Sequence, residues 1–344
     1  MKVPHGDDAY LFGEKIVSNF SSNVYQATDN TPLQAHLAAH MACIKHYPEP
    51  YPHRLEAAIA RKEGVPAGCV LVTSGAQEAI NLVAEYSDRS GTFLAPCYSG
   101  YAEAYDVCRQ LDVETLLSPS GETDGSLGKT TWICNPNNPL GNVLPKETLT
   151  AFVAAHPSCL ICIDQSYEHF TRQPLFSATE ALTFANLLLL HSLTKTYAIP
   201  GLRLGYVTAP EKICQLLRQR QMCWSVNALA VEAGFYLLDQ GAALAPDVDA
   251  LLAETQCLAS ALVALGIAVS SSDSHILFCE LPAPFSSDEL KGYLVEEHGI
   301  LIREANSYFL PNACKTGCFR IATQTQEENN RLVLALEQWL AHKR

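Results

Sequence analysis

The sequence predicts an α/β protein with one large domain, in which a sheet lies between helices, and one small α+β domain. Short apolar runs of strand length alternate with helical segments as far as Val207, and polar residues follow the ends of these runs. Beyond Val207 the pattern changes to longer helices with short strands between them. A chain of 344 residues is also long for a single core. We therefore predict a large domain over residues 30–235, and an N-terminal arm (1–29) that joins a small domain (236–344).

The composition is that of an ordinary folded protein with an acidic surface. Hydrophobic residues make up 48% of the chain and charged residues 17%, while the formal net charge is −13. This charge argues against a nucleic-acid or anionic-membrane partner, so an anionic ligand would have to be held by local cations. The first ten residues lack the apolar core of a secretory signal, and the aliphatic run 187–190 is far too short to span a bilayer. We expect a cytoplasmic protein.

The thirteen cysteines predict reduced thiols rather than disulfides, because their number is odd and they are scattered through apolar segments. Cys159 and Cys162 form a C-x-x-C pair, but strand alternation would turn the two side chains to opposite faces. A redox or zinc function is therefore disfavoured for this pair, and no metal site is predicted.

Residues 70–73 are strand-like and lead into a helix that begins at residues 74–78, S-G-A-Q-E. The start of a helix leaves unpaired N–H groups, and small residues allow an anion to approach the backbone. Gly75, Ala76 and Gln77 are therefore candidates for binding a phosphate. The alternative is an ordinary capped helix.

Three further strand-like runs end in residues with distinctive chemistry. After residues 92–95, Tyr98 stands where a flat ring can cover a flat ligand. After the next run, the Asn- and Pro-rich segment 135–141 presents side-chain amides from a rigid connection. The run after that ends at Asp164, a carboxylate that is costly to bury unless a cation meets it. A helix-capping aspartate is the alternative.

The stretch 191–206 follows the apolar run 184–190 and contains one lysine, Lys195, in a nearly uncharged setting. Desolvation would disfavour its ammonium form, and a neutral amine can condense with an aldehyde to form a Schiff base. Ser192 and Arg203 flank it and offer a hydroxyl and a fixed cation for a phosphate. The alternative is a lysine that extends from a strand end to solvent.

The remaining segments contribute helices and two arginines. Residues 33–46 read as an amphipathic helix, and the proline-rich turn 46–52 leads into a helix over residues 53–63. In the small domain, Arg303 and Arg320 end or interrupt apolar strands, and an arginine in such a setting usually binds a carboxylate or a phosphate. A surface ion pair is the alternative for each.

Several motifs occur in an order that resembles the pyridoxal-phosphate-dependent class I and II aminotransferase family, which has fold type I. They are S-G-A-Q-E (74–78), P-C-Y (96–98), N-P-N-N-P (135–139), D-Q-S-Y (164–167), S-L-T-K (192–195), G-L-R-L-G-Y (201–206) and F-R-I-A (319–322). The resemblance covers essentially the whole chain. It implies an aspartate aminotransferase-like fold with a mixed, mostly parallel sheet, and pyridoxal 5′-phosphate as the cofactor. Two departures are Leu140, where the family has threonine, and residues 22–26, which lack the family's N-P-L-G.

The resemblance also implies a role for each candidate residue. Lys195 carries the cofactor, Asp164 keeps its pyridine nitrogen protonated and Tyr167 bonds its ring oxygen, so these three are the predicted catalytic residues. The other predicted cofactor contacts are Gly75, Ala76, Gln77, Tyr98, Asn138, Ser192, Arg203 and, in a homodimer, Tyr47 of the partner subunit. The predicted substrate contacts are Arg320 on a carboxylate and, on a phosphate, Arg303 with His5 and Asn23.

Within the family, the chain resembles two groups that act on small phosphorylated amines: the L-threonine-O-3-phosphate decarboxylases of cobalamin biosynthesis and the histidinol-phosphate aminotransferases. His5-Gly6 and the runs 195–201 and 221–230 favour the decarboxylases, which form aminopropanol phosphate. A histidinol-phosphate-type aminotransferase is the alternative, because the outcome depends on which bond at Cα stands perpendicular to the cofactor ring. A third reading is a non-catalytic cofactor-binding sensor, against which the complete set of lysine, aspartate and arginine residues argues.

Overall fold

The structure is a computed structural model that describes residues 8–117, 127–305, 308 and 316–343. Its strands are β1 (Ser18–Asn19), β2 (Val70–Thr73), β3 (Ser90–Leu94), β4 (Val107–Leu111), β5 (Thr130–Cys134), β6 (Leu160–Asp164), β7 (Leu187–Ser192), β8 (Gly205–Thr208), β9 (Ala268–Val269), β10 (Ile276–Glu280), β11 (Ile300–Leu301), β12 (Arg303–Glu304) and β13 (Cys318–Ala322).

The helices alternate with the early strands and dominate the later part of the chain. They are α1 (Thr31–Ala39), α2 (His53–Glu63), α3 (Gly75–Tyr86), α4 (Gly100–Ala104), α5 (Val113–Leu117), α6 (Lys146–Ala155), α7 (Ala178–Ala181), α8 (Leu193–Thr196), α9 (Glu211–Arg218), α10 (Ala228–Leu244), α11 (Val248–Ala264), α12 (Ser287–His298) and α13 (Gln326–Lys343). Short 3₁₀ turns lie at Ala9–Leu11, Gly13–Lys15, Met41–Lys45, Ala67–Cys69 and Glu168–Phe170.

A seven-stranded mixed sheet forms the centre of the molecule, in the order β2-β8-β7-β6-β5-β3-β4. Strand β8 runs antiparallel to its neighbours β2 and β7, whereas β7, β6, β5, β3 and β4 pair in parallel. Parallel strands need crossover helices that cover both faces of the sheet, which explains why strands and helices alternate in the sequence. The predicted α/β class and mostly parallel sheet are confirmed.

The leucine run in β7 shows how the sheet is buried on both faces. Leu188 and Leu190 belong to the hydrophobic cluster on one face, while Leu187 and Leu189 belong to the cluster on the other. Successive side chains of a strand alternate between faces, so a strand that is covered on both sides is apolar throughout. The C-x-x-C pair follows the same rule, since its two thiols lie in opposite clusters. The cysteines that the structure describes form no disulfides with one another, as the sequence predicts.

A second, antiparallel sheet has the order β12-β13-β10-β9 and packs its apolar face against α11, α12 and α13. The N-terminal arm joins this part of the molecule, because β1 pairs in parallel with β11. The boundary predicted at residue 235 falls inside the continuous helix α10, and the division into domains stays a prediction. None of the helices in the described ranges is long and apolar enough to cross a membrane.

The continuous helix predicted over residues 33–46 is wrong. Helix α1 ends at Ala39, and a 3₁₀ turn over Met41–Lys45 follows. The imidazole Nδ1 of His40 lies 2.8 Å from the carbonyl oxygen of His36 and caps the last turn of α1. A side chain that satisfies a terminal carbonyl in this way allows the helix to end, even though the apolar pattern continues.

Candidate active site

A cleft opens at the carboxyl ends of β5, β6 and β7, where the crossover loops of the large sheet meet the second sheet and the N-terminal arm. It encloses about 910 Å³, part of which is open to solvent. The lining residues are Ser21, Ser22, Asn23, Ala76, Gln77, Tyr98, Ser99, Cys134, Asn138, Asp164, Ser166, Tyr167, Ser192, Thr194, Lys195, Arg203, Arg303, Tyr308 and Arg320. This edge of an open α/β sheet is where ligands usually bind.

Asp164 ends β6 at the floor of the cleft and is 4% exposed. Its carboxylate accepts one hydrogen bond from the Tyr101 hydroxyl (2.6 Å) and one from the Ser166 backbone N–H (2.9 Å). Burial raises the pKa of Asp164 above its ordinary value, although these donors and the nearby His191 act in the opposite direction. A buried carboxylate held by neutral donors favours a cationic ligand group beside it.

The Tyr167 hydroxyl lies beside Asp164 and accepts two hydrogen bonds. The side-chain amide of Asn23 donates at 2.8 Å and that of Asn138 at 3.2 Å. Because both lone pairs of the hydroxyl are used, its proton remains available for a ligand oxygen. Burial raises the pKa of Tyr167, which keeps this proton in place at neutral pH.

Lys195 lies in the short helix α8, which follows directly from the end of β7. Its Nζ donates to the carbonyl oxygen of Ser22 at 2.6 Å. The side chain is partly buried and lines the same cleft as Asp164 and Tyr167. The lysine is therefore held at the sheet edge by a contact from the N-terminal arm.

A place for a phosphate lies at the start of α3. Gly75 has a φ of +73°, and a Cβ atom there would lie 2.6 Å from Nη2 of Arg203. Only glycine fits this position, and its backbone lets the guanidinium approach the N-terminus of a helix of 12 residues. The Arg203 guanidinium also donates to the carbonyl oxygen of Pro200 at 3.1 Å, and Ser192 lines the cleft nearby.

Two buried arginines lie on adjacent strands of the second sheet. Arg303 and Arg320 are Cα partners in the antiparallel pair β12–β13 and are 6% and 3% exposed. Arg320 donates to Asn138 Oδ1 (3.0 Å) and to the Ser21 carbonyl oxygen, while its Nε has no partner among the described residues. Its guanidinium carbon lies 5.7 Å from the centre of the Tyr308 ring. Both arginines line the cleft.

The structure brings most of the predicted site residues together. Every predicted residue in the described ranges lines the cleft except Gly75, which lies under Arg203, and Tyr47, whose side chain is 86% exposed at the surface. His5 lies outside the described residues. Sequence reasoning did not assign Tyr101, which contacts Asp164, or the arm residues Ser21 and Ser22. Tyr101 lies in α4, seven residues after the end of β3, and carried no signal of its own in the sequence.

The arrangement fits pyridoxal phosphate in three respects. The buried Asp164 provides the anion that a protonated pyridine nitrogen needs. The outward proton of Tyr167 suits a ring oxygen, and the glycine at the start of α3 with Arg203 suits a phosphate. Lys195 lines the same cleft and supplies an amine for the aldehyde. Fold and site together define an enzyme of pyridoxal-phosphate chemistry.

Comparison with known proteins agrees with this definition. The family model described as Aminotransferase class I and II matches residues 15–336, so the chain belongs to this family. The family depends on pyridoxal phosphate, and the chain is therefore a pyridoxal-phosphate-dependent enzyme of the aminotransferase class I and II type with an aspartate aminotransferase-like fold.

Three of the similar proteins bear the names of phosphorylated substrates. The solved structure of L-threonine-O-3-phosphate decarboxylase from Porphyromonas gingivalis is 30% identical, with a TM-score of 0.87 over 94% of this chain and 100% of that one. Histidinol-phosphate aminotransferase of Parabacteroides distasonis is 28% identical over 85% of this chain and 86% of its own length. Histidinol-phosphate aminotransferase from Sinorhizobium meliloti, solved with pyridoxal-5′-phosphate, shares the fold at 19% identity, with a TM-score of 0.85 over 100% of this chain and 96% of that one.

Proposed function

We propose that the enzyme acts on a small amino acid that carries a phosphate, as an L-threonine-O-3-phosphate decarboxylase that forms aminopropanol phosphate. The observation that carries this proposal is the charge of the cleft. Among the described residues, four cationic side chains line it, Lys195, Arg203, Arg303 and Arg320, together with one carboxylate, that of Asp164.

The cofactor accounts for only part of this positive charge. Its phosphate would be held at the start of α3 by Arg203, and its pyridinium would offset Asp164. Arg303 and Arg320 line the same cleft, are both buried and lie on adjacent strands, so we assign them to the substrate. In a protein whose net charge is −13, two such cations side by side support a substrate with two anionic groups.

The names of the similar proteins also support a phosphorylated substrate. One relative bears the name of threonine phosphate, and others bear that of histidinol phosphate. Histidinol phosphate has no carboxylate, whereas threonine phosphate has both a carboxylate and a phosphate. The paired arginines fit the two anionic groups of threonine phosphate, so we propose the decarboxylase first. A histidinol-phosphate-type aminotransferase is the second candidate, because its keto-acid acceptor would bring carboxylates to the same arginines.

We assign the roles of the side chains from their contacts. Bound pyridoxal phosphate supplies the electron withdrawal that weakens the bonds at Cα of a substrate amine. Asp164 would keep the pyridine nitrogen of the bound cofactor protonated, and Tyr167, aligned by Asn138, would donate to its ring oxygen. Lys195 would hold the cofactor until the substrate amine replaced it, and its amine would then move a proton at Cα.

We assign the substrate carboxylate to Arg320 and the phosphate to Arg303. The amide of Asn23 already donates to Tyr167, so we propose that Asn23 acts by orienting this hydroxyl rather than by binding phosphate. Holding both anions fixes the rotation about the bonds at Cα, and this rotation decides which bond breaks. If the bond from Cα to the carboxylate stood perpendicular to the cofactor ring, carbon dioxide would be lost. If the bond from Cα to hydrogen stood perpendicular instead, transamination would follow.

Product analysis with the purified holoenzyme tests the proposal. With threonine phosphate we expect carbon dioxide and aminopropanol phosphate in equal amounts and without an added keto acid. Conversion of histidinol phosphate that depends on an amino-group acceptor, without release of carbon dioxide from threonine phosphate, would establish the aminotransferase instead.

We also propose that the enzyme is a homodimer in which Tyr47 contacts the cofactor phosphate of the other subunit. Tyr47 is exposed, and its ring centre lies 5.3 Å from that of Trp224. Met41 and Ile44, which are close to Tyr47 in the sequence, and Met222, which is close to Trp224, are exposed as well. Exposed apolar side chains of this kind often mark an interface. The expected result is a dimer by light scattering, and a Tyr47→Phe variant that binds the cofactor more weakly. A fully active monomer would contradict the proposal.

A further inference from the structure

A cluster of three side chains lies outside the lining of the cleft, where α1 packs against α10. His36 belongs to α1, His40 caps the end of this helix, and Glu232 belongs to α10. The ligand atoms that the three residues offer all lie within 4.8 Å of one another. The Nε2 atoms of His36 and His40 lie 2.8 Å and 3.8 Å from the same oxygen, Oε1 of Glu232.

These separations suit the coordination of a small divalent metal ion. Two ligands at about 2.1 Å from a tetrahedral ion lie roughly 3.4 Å apart, between the two observed distances. Two histidines four residues apart present their rings on one side of a helix, and a carboxylate from the facing helix supplies a third ligand. Imidazole nitrogens combined with one carboxylate oxygen favour zinc and related transition metals over calcium or magnesium.

Neighbouring groups hold the two imidazoles in the orientation that a metal requires. Nδ1 of His40 lies 2.8 Å from the carbonyl oxygen of His36, so this nitrogen carries the proton and Nε2 presents its lone pair toward Glu232. The rings of His36 and His40 stack with their centres 4.1 Å apart. The ring of Tyr236, one turn along α10 from Glu232, packs against His36 at 4.6 Å.

We propose that His36, His40 and Glu232 form a binding site for one divalent transition-metal ion of the zinc type, completed by water. The side chain of His40 is 49% exposed and those of His36 and Glu232 are 23% and 28% exposed, so an ion and its water can reach the site. The negative net charge of the protein favours the approach of a cation. No part of the catalytic chemistry depends on this ion.

The ion would brace two helices that both support the segment following Lys195. The side-chain amide of Asn30, immediately before α1, donates to the carbonyl oxygen of Ala198 at 2.9 Å. That of Asn227, immediately before α10, donates to the carbonyl oxygen of Leu202 at 3.0 Å. A metal that joins α1 to α10 therefore stabilises the folded protein by binding to it and not to the unfolded chain.

Calorimetric titration of the holoenzyme with Zn²⁺, after dialysis against a chelator, tests the site. We expect one zinc ion per chain in the wild type, with an affinity that falls about tenfold or more in His36→Ala, His40→Ala and Glu232→Gln. His342→Ala is the matched control, because His342 Nδ1 makes the same contact with the Gln338 carbonyl oxygen at 2.8 Å on an exposed helix end. The control should bind zinc like the wild type.

Exposed thiols are the main competing ligands, so the titration is repeated in a Cys223→Ser, Cys257→Ser variant, which should keep the one-ion site. Zinc should also raise the melting temperature of the wild type and of His342→Ala, but not that of His40→Ala. The proposal is overturned if the wild type binds no zinc. It is also overturned if His40→Ala binds zinc like the wild type while the serine variant binds none, because the thiols would then hold the ion.

Discussion

Replacing Tyr101 with phenylalanine should reduce turnover without weakening substrate binding. The ring of Tyr101 is fully buried and stacks on Trp132 with centres 5.1 Å apart, so phenylalanine keeps the packing. What is lost is the hydrogen bond from its hydroxyl to Asp164 at 2.6 Å. Hydrogen bonds to charged groups contribute roughly 1.5–3 kcal/mol, which corresponds to roughly one to two pKa units.

Without this donor Asp164 would be a stronger base, and the proton between it and the pyridine nitrogen of a bound cofactor would shift toward the carboxylate. The ratio of the ion-paired form to the neutral form would fall roughly 10- to 100-fold, and kcat should fall by up to that factor. KM should change little, because Tyr101 lies behind Asp164 and does not line the cleft.

Steady-state kinetics of Tyr101→Phe and of Tyr105→Phe provide the test. Tyr105 is also buried and accepts a hydrogen bond from Trp132 Nε1 at 2.8 Å, but it does not contact Asp164. The Tyr105→Phe variant should keep its kcat even if its stability falls. An unchanged kcat in Tyr101→Phe, or an equal loss in both variants, would refute the role of this hydrogen bond.

Three further variants test the assigned roles. Lys195→Ala should abolish turnover and the cofactor adduct that borohydride fixes, and a remaining adduct would place the attachment elsewhere. Asp164→Asn should lower kcat about 100-fold. Because burial raises the pKa of Asp164, its ionised form destabilises the cofactor-free protein at neutral pH, so this variant should melt higher at pH 7, and the difference should shrink as acid protonates Asp164. Arg303→Ala should raise KM for threonine phosphate roughly 100-fold and alter the binding of threonine much less, whereas equal losses would remove the phosphate role.

The sequence predicted features that are written into short runs of residues. Two strands, and the cleft residues Asp164 and Ser192 that follow their apolar runs, could be predicted from the sequence. Parallel strands that are buried on both faces are apolar throughout, so they stand out as continuous apolar runs. Strand β4 was missed, since it lies at the edge of the sheet and reads V-C-R-Q-L, with three of its five residues exposed to solvent. An edge strand needs no continuous apolar run.

The contacts across the cleft could not be predicted in the same way. Arg303 lies opposite Arg320 because of the register in which β12 and β13 pair. Lys195 contacts Ser22 because of the path that the N-terminal arm takes. Both pairs join residues that are distant in sequence. Periodicity carries information about the face on which a side chain lies, but none about the partner that it meets there.

The pairing of β1 with β11 determines when, during protein synthesis, the N-terminal arm can bring Ser22 to Lys195. The seven-stranded sheet is complete once β8 has emerged, whereas β11 emerges only after the residues between Thr208 and Ile300 have been added. At usual translation rates this takes roughly 5 to 20 s. Ser22 follows β1 closely, so during this interval its carbonyl has no reason to lie on Lys195. We expect Lys195 of the nascent chain to meet the cofactor without the Ser22 contact, which would make loading during translation faster than loading of the finished enzyme. Borohydride fixation on stalled ribosomes would measure the difference.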